Sequence, residues 1–434
     1  MSRVIKTIVL AVLALAVLLA GWLWHVNYND GVDVSGTAEP VAAAADLPAL
    51  RERGAYLAKA GNCMACHTAR GSERWSGGRP FATPFGTLYS SNLTPDASTG
   101  LGQWSAAAFW RALHHGRSRD GRLLYPAFPY THTTQIVRAD SDALYAYLQS
   151  LPPVKAPAPA HQLSWPYGTQ AALAVWRALY FQPGTYREDP KRSQEWNRGA
   201  YLVRGLAHCS ACHAPRDSLA GADWQDFSGG LMPAQGWYAP SLLSAHEAGV
   251  GDWPEQDIIR LLATGYARSA STSGPMAEVI SQSTQYLNTA DLSAMASYLK
   301  SLPQTKTASV PATTPGRLSG AITAGEKIYE KNCAACHGSQ GQGVENAYPP
   351  LAGNRMVTLP RTENLLQVLL YGGFGASTAG HPRPFGMPPF VLSLNDREIA
   401  SVLSYIRNSW GNQAPEVSVL NVHSMRAESR STLD

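Results

Sequence analysis

The chain has 434 residues, too many for one hydrophobic core, and its length implies two to four domains. Charged residues make up only 15% of it, against roughly 25% in an average soluble domain, so part of its surface must be covered by partners, membrane or a cofactor. A formal net charge of +4 without any Lys/Arg run gives a weak long-range field, which sets nucleic acid aside as a partner.

Arg3 and Lys6 flank the first apolar run, residues 8–24 (IVLAVLALAVLLAGWLW), which has no polar side chain. As a helix this run spans about 25 Å, close to the thickness of a bilayer's hydrocarbon core. GWLWHVNYND follows in place of the small-x-small residues of a cleavage site, and the first alanine-rich stretch, 41–45, comes much later. Residues 1–30 are therefore expected to be a membrane anchor in preference to a cleaved signal. Either places the remaining chain outside the cytoplasm, on the periplasmic side of the inner membrane, because Arg3 and Lys6 hold the N-terminal end inside. Trp22 and Trp24 suit the outer interface of such an anchor.

All six cysteines fall in three copies of one pattern: CMACH (63–67), CSACH (209–213) and CAACH (333–337). CxxCH is the attachment site of c-type haem. Two thiols three residues apart can form thioethers to the two vinyl groups of one porphyrin, and the next histidine then lies under the iron. Cys63, Cys66, Cys209, Cys212, Cys333 and Cys336 are thus the expected attachment points of three covalent haems, with His67, His213 and His337 as proximal ligands. Half a zinc site, a redox disulfide or a structural bridge would account for CxxC alone. None requires a histidine after every pair, and no thiol remains for disulfides.

Around the motifs the chain repeats itself. RGAYLAKAGNCMACH (53–67) matches RGAYLVRGLAHCSACH (198–213), with AGEKIYEKNCAACH (324–337) a weaker third copy. Each unit closes alike, with DALYAYLQSLP (142–152), SAMASYLKSLP (293–303) and IASVLSYIRNSW (399–410). In the last, Ile399, Val402, Leu403 and Ile406 take the spacing of an amphipathic helix, and Asn395 with Glu398 offers a capping pair. Three helical domains are expected at 46–152, 190–303 and 318–412. The Pro-rich stretches 152–161 and 303–320 read as linkers. A segment at 165–196 includes a short helix, AALAVWRALYF (171–181). Residues 413–434 form an extension over the third domain or a disordered tail. No strand pattern of any length appears.

A low-spin haem needs a second axial ligand. Met276, in SGPMAEV, and Met387, in FGMPPF, sit in Pro/Gly-rich surroundings expected to be stiff loops. Their rivals, Met232 and Met356, each lie nineteen residues after a proximal histidine, too near the motif to reach the other haem face. Aligning GQWSAAAFWRALHHG (102–116) with GDWPEQDIIRLLATG (251–265) puts Phe128 of LYPAFPY within one residue of the place of Met276. No methionine occurs between Met64 and Met232, so the first haem has no thioether ligand from its own domain. Three outcomes stay open there: His132, four residues beyond Phe128 and favoured; His114 or His115; or an open haem beneath Phe128. His161, His246 and His381 are expected to be solvated. Trp104, Trp110 and Trp253 are expected in the core before the haem edges.

These residues resemble the triple-haem cytochrome c subunit of bacterial membrane-bound alcohol and aldehyde dehydrogenases. The likeness runs through SNLTPD (91–96), TGLGQW (99–104), LYPAFPY, EWNRGAYLV (195–203), HCSACHAPRD (208–217), GPMAEV and SYIRNSWGN (404–412). It implies an all-α fold, three tandem class I cytochrome c-like domains behind an N-terminal transmembrane helix. The branch serving quinoprotein alcohol dehydrogenases reads PAMPY, with that methionine as ligand. PAFPY with a nearby histidine is more similar to subunits accompanying molybdenum-containing aldehyde or heterocycle oxidoreductases, which supports His132. The resemblance also implies Asn92 and Arg216 near haem propionates, a catalytic dehydrogenase partner with a small subunit, and electron delivery to ubiquinone or a terminal oxidase. With His132 on the iron, the first haem is expected to have the lowest potential and to exchange with quinone or act late as a donor. The rival class is a haem enzyme, a peroxidase or quinol oxidase with an open first haem. A lone shuttle without a permanent partner is the third reading.

Overall fold

The computed structural model describes residues 3–32, 34, 46–232, 235–268, 270–305, 320–345 and 347–431. Helix α1 (Arg3–Tyr28) is long and apolar enough to cross a membrane, and its most apolar stretch buries nothing against the rest of the chain. Three helical units follow. The first holds α2 (Leu47–Ala60), α3 (Ala106–His115) and α4 (Arg138–Leu148). Helix α5 (Gln170–Tyr180) stands between units. The second unit has α6 (Gln194–Ala200), α7 (Glu255–Thr264), α8 (Gly274–Gln282) and α9 (Thr289–Lys300). The third has α10 (Gly320–Asn332), α11 (Glu363–Tyr371), α12 (Asp396–Arg407) and α13 (Val419–Ser431).

Local chemistry sets the helix starts. Ser105 accepts from the Ala108 amide at the head of α3, and Asn288 accepts from that of Asp291 at the head of α9. Asn395 and Glu398 complete the expected capping box on α12. In every unit the motif-bearing helix crosses the closing helix at a glycine: Gly54 on α4, Gly199 on α9 and Gly325 on α12. A Cβ at any of these three would overlap the backbone carbonyl of Ala143, Ala294 or Ser401 respectively. The repeated RGAY and AGEK stretches thus record a backbone-to-backbone crossing that only glycine permits.

The first two units share one core, in which Leu57, Leu144, Leu202 and Met295 are fully or nearly buried, while the third gathers its own around Val357, Leu366, Ile399 and Val402. A crossed network locks the first pair together. Asp140 takes Arg53 from its own unit (2.5 and 2.8 Å) and the Tyr201 hydroxyl from the second (2.7 Å). Asp291 takes Arg198 from its own unit (both bonds 2.7 Å) and the Tyr56 hydroxyl from the first (2.6 Å).

The structure corrects several expectations. Among the described residues the chain is mostly helical but also forms four small antiparallel sheets, one three-stranded (Pro80–Thr83, Gly86–Tyr89, Gln162–Leu163) and three two-stranded. No strand among the described residues exceeds four residues, too short for an alternating pattern to show in sequence. The 152–161 stretch is fastened to the first unit: Thr94 Oγ1 accepts from the Val154 amide (3.1 Å), and Thr99 Oγ1 from that of Ala156 (3.0 Å). His161 is exposed, yet its Nδ1 accepts from the Tyr89 amide (3.2 Å). His381 is half-buried against Tyr266, its Nε2 without a hydrogen-bond partner, whereas His246 is exposed as expected. Most of the 303–320 linker lies outside the described residues. The C-terminal extension folds over the third unit, since α13 buries Val422 and Met425 against α11 and α12.

Candidate haem sites

Each motif closes a single helical turn, Cys63–Cys66, Ser210–His213 and Ala334–His337. The histidine that follows or ends it is fixed the same way three times. His67 Nδ1 lies 2.7 Å from the Ser91 carbonyl, His213 Nδ1 2.7 Å from that of Pro240, and His337 Nδ1 3.0 Å from that of Pro349. A carbonyl only accepts, so Nδ1 carries the proton and Nε2 keeps its lone pair for a metal. Burial lowers the pKa of all three rings more than the carbonyl bond raises it, which keeps each imidazole neutral.

The sulfurs point the same way. All six cysteines are unpaired, and burial pushes the Cys63 and Cys209 thiols up to about 12 and that of Cys333 to about 11. A zinc ligand or a reactive thiol needs the opposite shift, toward the thiolate. An uncharged thioether suits such burial. Among the described residues no three His, Cys, Asp or Glu side chains gather as a metal site would require. The donor set therefore fits covalent haem.

The candidate distal methionines are held by regular structure, not by loops. Met276 lies in the first turn of α8, which begins with Gly274 and Pro275. Met387 pairs with Gly373 in a two-residue strand. Both are half-buried at core edges. Met232 is buried in a hairpin opposite Trp237, and Met356 takes the Ser273 hydroxyl on its sulfur (3.4 Å).

The first unit differs. Phe128 packs at the edge of the shared core, and His132 meets the second motif. Its Nε2 meets Ser210 Oγ, inside CSACH, at 3.0 Å, and Nδ1 meets the Thr131 hydroxyl at 3.0 Å. Ser210 gives its one proton to the Trp224 carbonyl (2.6 Å), so His132 Nε2 must be the donor. Both ring nitrogens of His132 are thus engaged. His114 stacks on Trp110 (4.5 Å, 10°), with His115 edge-on to it (4.6 Å). Burial, with His114 beside it, pushes His115 down to about 4. His115 lies where the first unit meets α1 and α5, close to Asp30 and Arg177.

Asn92 is consumed by structure, donating to Thr99 Oγ1 and the Val154 carbonyl and accepting from Thr94, so nothing remains for a propionate. Arg216 donates to the Ala211 carbonyl within the second motif. Its counterpart at the first motif is Arg79, which donates to the Ala65 carbonyl (2.5 Å) and pairs with Glu278 on α8 (2.6 Å). Sequence reasoning misses both Arg79 and the Asp140/Asp291 network. A signal for the latter exists, since Arg53 and Tyr56 recur as Arg198 and Tyr201 in the doubled RGAY.

Comparison with known proteins agrees with this geometry. The Cytochrome c family model matches residues 51–152, 197–303 and 322–410. The chain is 39% identical over 397 residues to the alcohol dehydrogenase (quinone) cytochrome c subunit of Gluconacetobacter polyoxogenes, covering 88% of this chain and 85% of that protein. It is 36% identical to the fructose dehydrogenase cytochrome subunit of Gluconobacter japonicus, over 90% of this chain and 85% of that one. A nicotinate dehydrogenase subunit of Pseudomonas putida is 42% identical across 85% of this chain but only 31% of its own length. With three family matches along its length and relatives named as cytochrome subunits of dehydrogenases, this chain belongs to the cytochrome c family.

Proposed function

We propose that this chain is the electron-transfer subunit of a membrane-bound dehydrogenase, carrying three covalent c-type haems and passing electrons from a catalytic subunit to ubiquinone or a terminal oxidase. The observation that carries this reading is the threefold recurrence of one site: a CxxC pair whose first thiol is held neutral by burial, followed by a histidine whose Nδ1 is locked on a backbone carbonyl. Haem, when bound there, supplies one-electron redox chemistry. The chain's own part is to hold it. His67, His213 and His337 present Nε2, the motif sulfurs anchor the ring, and Met276 and Met387 are the candidate thioethers for the second and third sites. The three haem domains span 46–152, 190–303 and 318–412. The N-terminal helix anchors them on the periplasmic face of the inner membrane.

The relatives include both quinone alcohol dehydrogenase and nicotinate dehydrogenase subunits, which supports a catalytic partner of either alcohol/aldehyde or molybdenum-containing heterocycle type, with a small subunit. To test the assignment, the membrane complex is purified through a tag on this chain and its substrate is added under anaerobic conditions. Reduction of the haem bands by substrate supports the proposal. A purified chain that brings no dehydrogenase and stays oxidised with every alcohol, aldehyde and N-heterocycle tried refutes it.

The engaged nitrogens of His132 favour a second reading for the first site alone, an open haem beneath Phe128, able to react as a peroxidase or quinol oxidase. Binding iron through Nε2 would require His132 to give up Ser210. Rapid cyanide binding by one haem of three supports the open site, and its absence supports His132.

A further inference from the structure

Helix α5 lies outside all three cytochrome c matches and is built inside-out. Its charged residue, Arg177, is 3% exposed, while its outward stripe, Ala171, Val175 (47% exposed) and Leu179 (60%), is wholly apolar. Trp165, just before it, is 85% exposed. Such a stripe costs solubility unless something covers it.

The position of α5 says what does. Asn27, near the end of α1, is buried between the two helices; its Nδ2 donates to the Ala174 carbonyl (3.0 Å) and its Oδ1 accepts from Arg177 Nε (2.8 Å). Arg117 clamps the same end through the Tyr28 carbonyl (3.1 Å) and Asp30. Trp24, exposed like the lipid-facing residues before it, precedes Asn27 by about 5 Å of helix rise. The apolar surface of α1 therefore runs into that of α5. The polar groups at the junction are turned inward, and Arg177 stacks over Tyr130 (5.0 Å) and Phe181 (4.6 Å).

We infer that α5 with Trp165 lies in the bilayer interface as a second membrane contact, holding the first unit against the lipid surface through Arg177 and Tyr130. This rests on α1 being the anchor, as proposed above. A helix of this kind sinks its apolar face about 5–10 Å into the headgroup boundary.

The test places a nitroxide on Leu179→Cys, Leu18→Cys and Leu392→Cys in the full chain, reconstituted without partners in phosphatidylcholine–phosphatidylglycerol vesicles, with Val175→Cys as a second α5 position. Leu392 is 98% exposed on the third unit and reports water. The expected result is that labels at 179 and 18 gain oxygen accessibility and lose access to a water-soluble nickel relaxant, while 392 does the reverse. A label at 179 or 175 open to nickel, with 18 in lipid, overturns the inference and leaves the anchor standing. One shielded from both relaxants means a protein surface covers α5, which also overturns it. Nickel access at 18 itself removes the anchor and this inference together.

Discussion

At the scale of single residues, the protein is governed by which atom of each histidine is already engaged. His67, His213 and His337 spend Nδ1 on carbonyls and keep Nε2 free; His132 spends both nitrogens. The CxxCH sites are legible in sequence because covalent attachment fixes their spacing. The sixth ligand of the first site is not, because it depends on where a single turn, Tyr130–Thr133, packs, and that turn sits between α3 of the first unit and the second unit. Replacing His132 by alanine is expected to leave the haem absorption bands unchanged and to loosen the first two units; appearance of a high-spin haem would assign it as a ligand. Gly199→Ala forces a Cβ into the Ala294 carbonyl and is expected to cost about 2–3 kcal/mol in denaturant unfolding. Burial raises the Asp291 pKa, but the bonds from Arg198 and Tyr56 outweigh it and hold the carboxyl below its ordinary value. A depressed pKa contributes stability that is present above the unfolded value, about pH 4, and is lost as pH falls through the folded one. Asp291→Asn should flatten the pH dependence of unfolding below about pH 4, which acid titration of the unfolding midpoint measures.

At the scale of elements, helices with caps and apolar periodicity are readable, as α12 shows, but two-residue strands and docked linkers are not. The ladder at Gln162–Leu163 exists only because Gly86 and Thr87 are there to receive it, a tertiary fact absent from the local sequence. The C-terminal extension reads equally as packed or disordered for the same reason, since its buried residues, Val422 and Met425, are few. Arg426 adds bonds to the Val391 and Leu394 carbonyls and pairs with Asp396. Ending the chain at Asn412 should therefore destabilise the third unit by about 2–4 kcal/mol, from lost apolar burial and carbonyl caps, and leave the first two unchanged. Differential unfolding of the separate haem environments checks it.

At the scale of the whole molecule, one large core joins the first two units and another serves the third, with only a small cluster, Ala277, Ile280 and Ala376, between the second and third among the described residues, so unfolding should proceed in two transitions, with Asp140→Asn and Asp291→Asn moving only the one that involves the first two units. A single transition for all three would contradict that division. The first unit also carries the junction with α1 through Asn27, Arg117 and Arg177, and on the proposed anchoring it is the membrane-proximal one. The proposed function depends on three porphyrins held by six sulfurs. Mass spectrometry of the proteolysed protein tests this most directly: the peptides holding Cys63/Cys66, Cys209/Cys212 and Cys333/Cys336 should each weigh one haem more than their amino acids. Any of the three recovered at its bare mass, or with its thiols free to alkylate, would contradict the account.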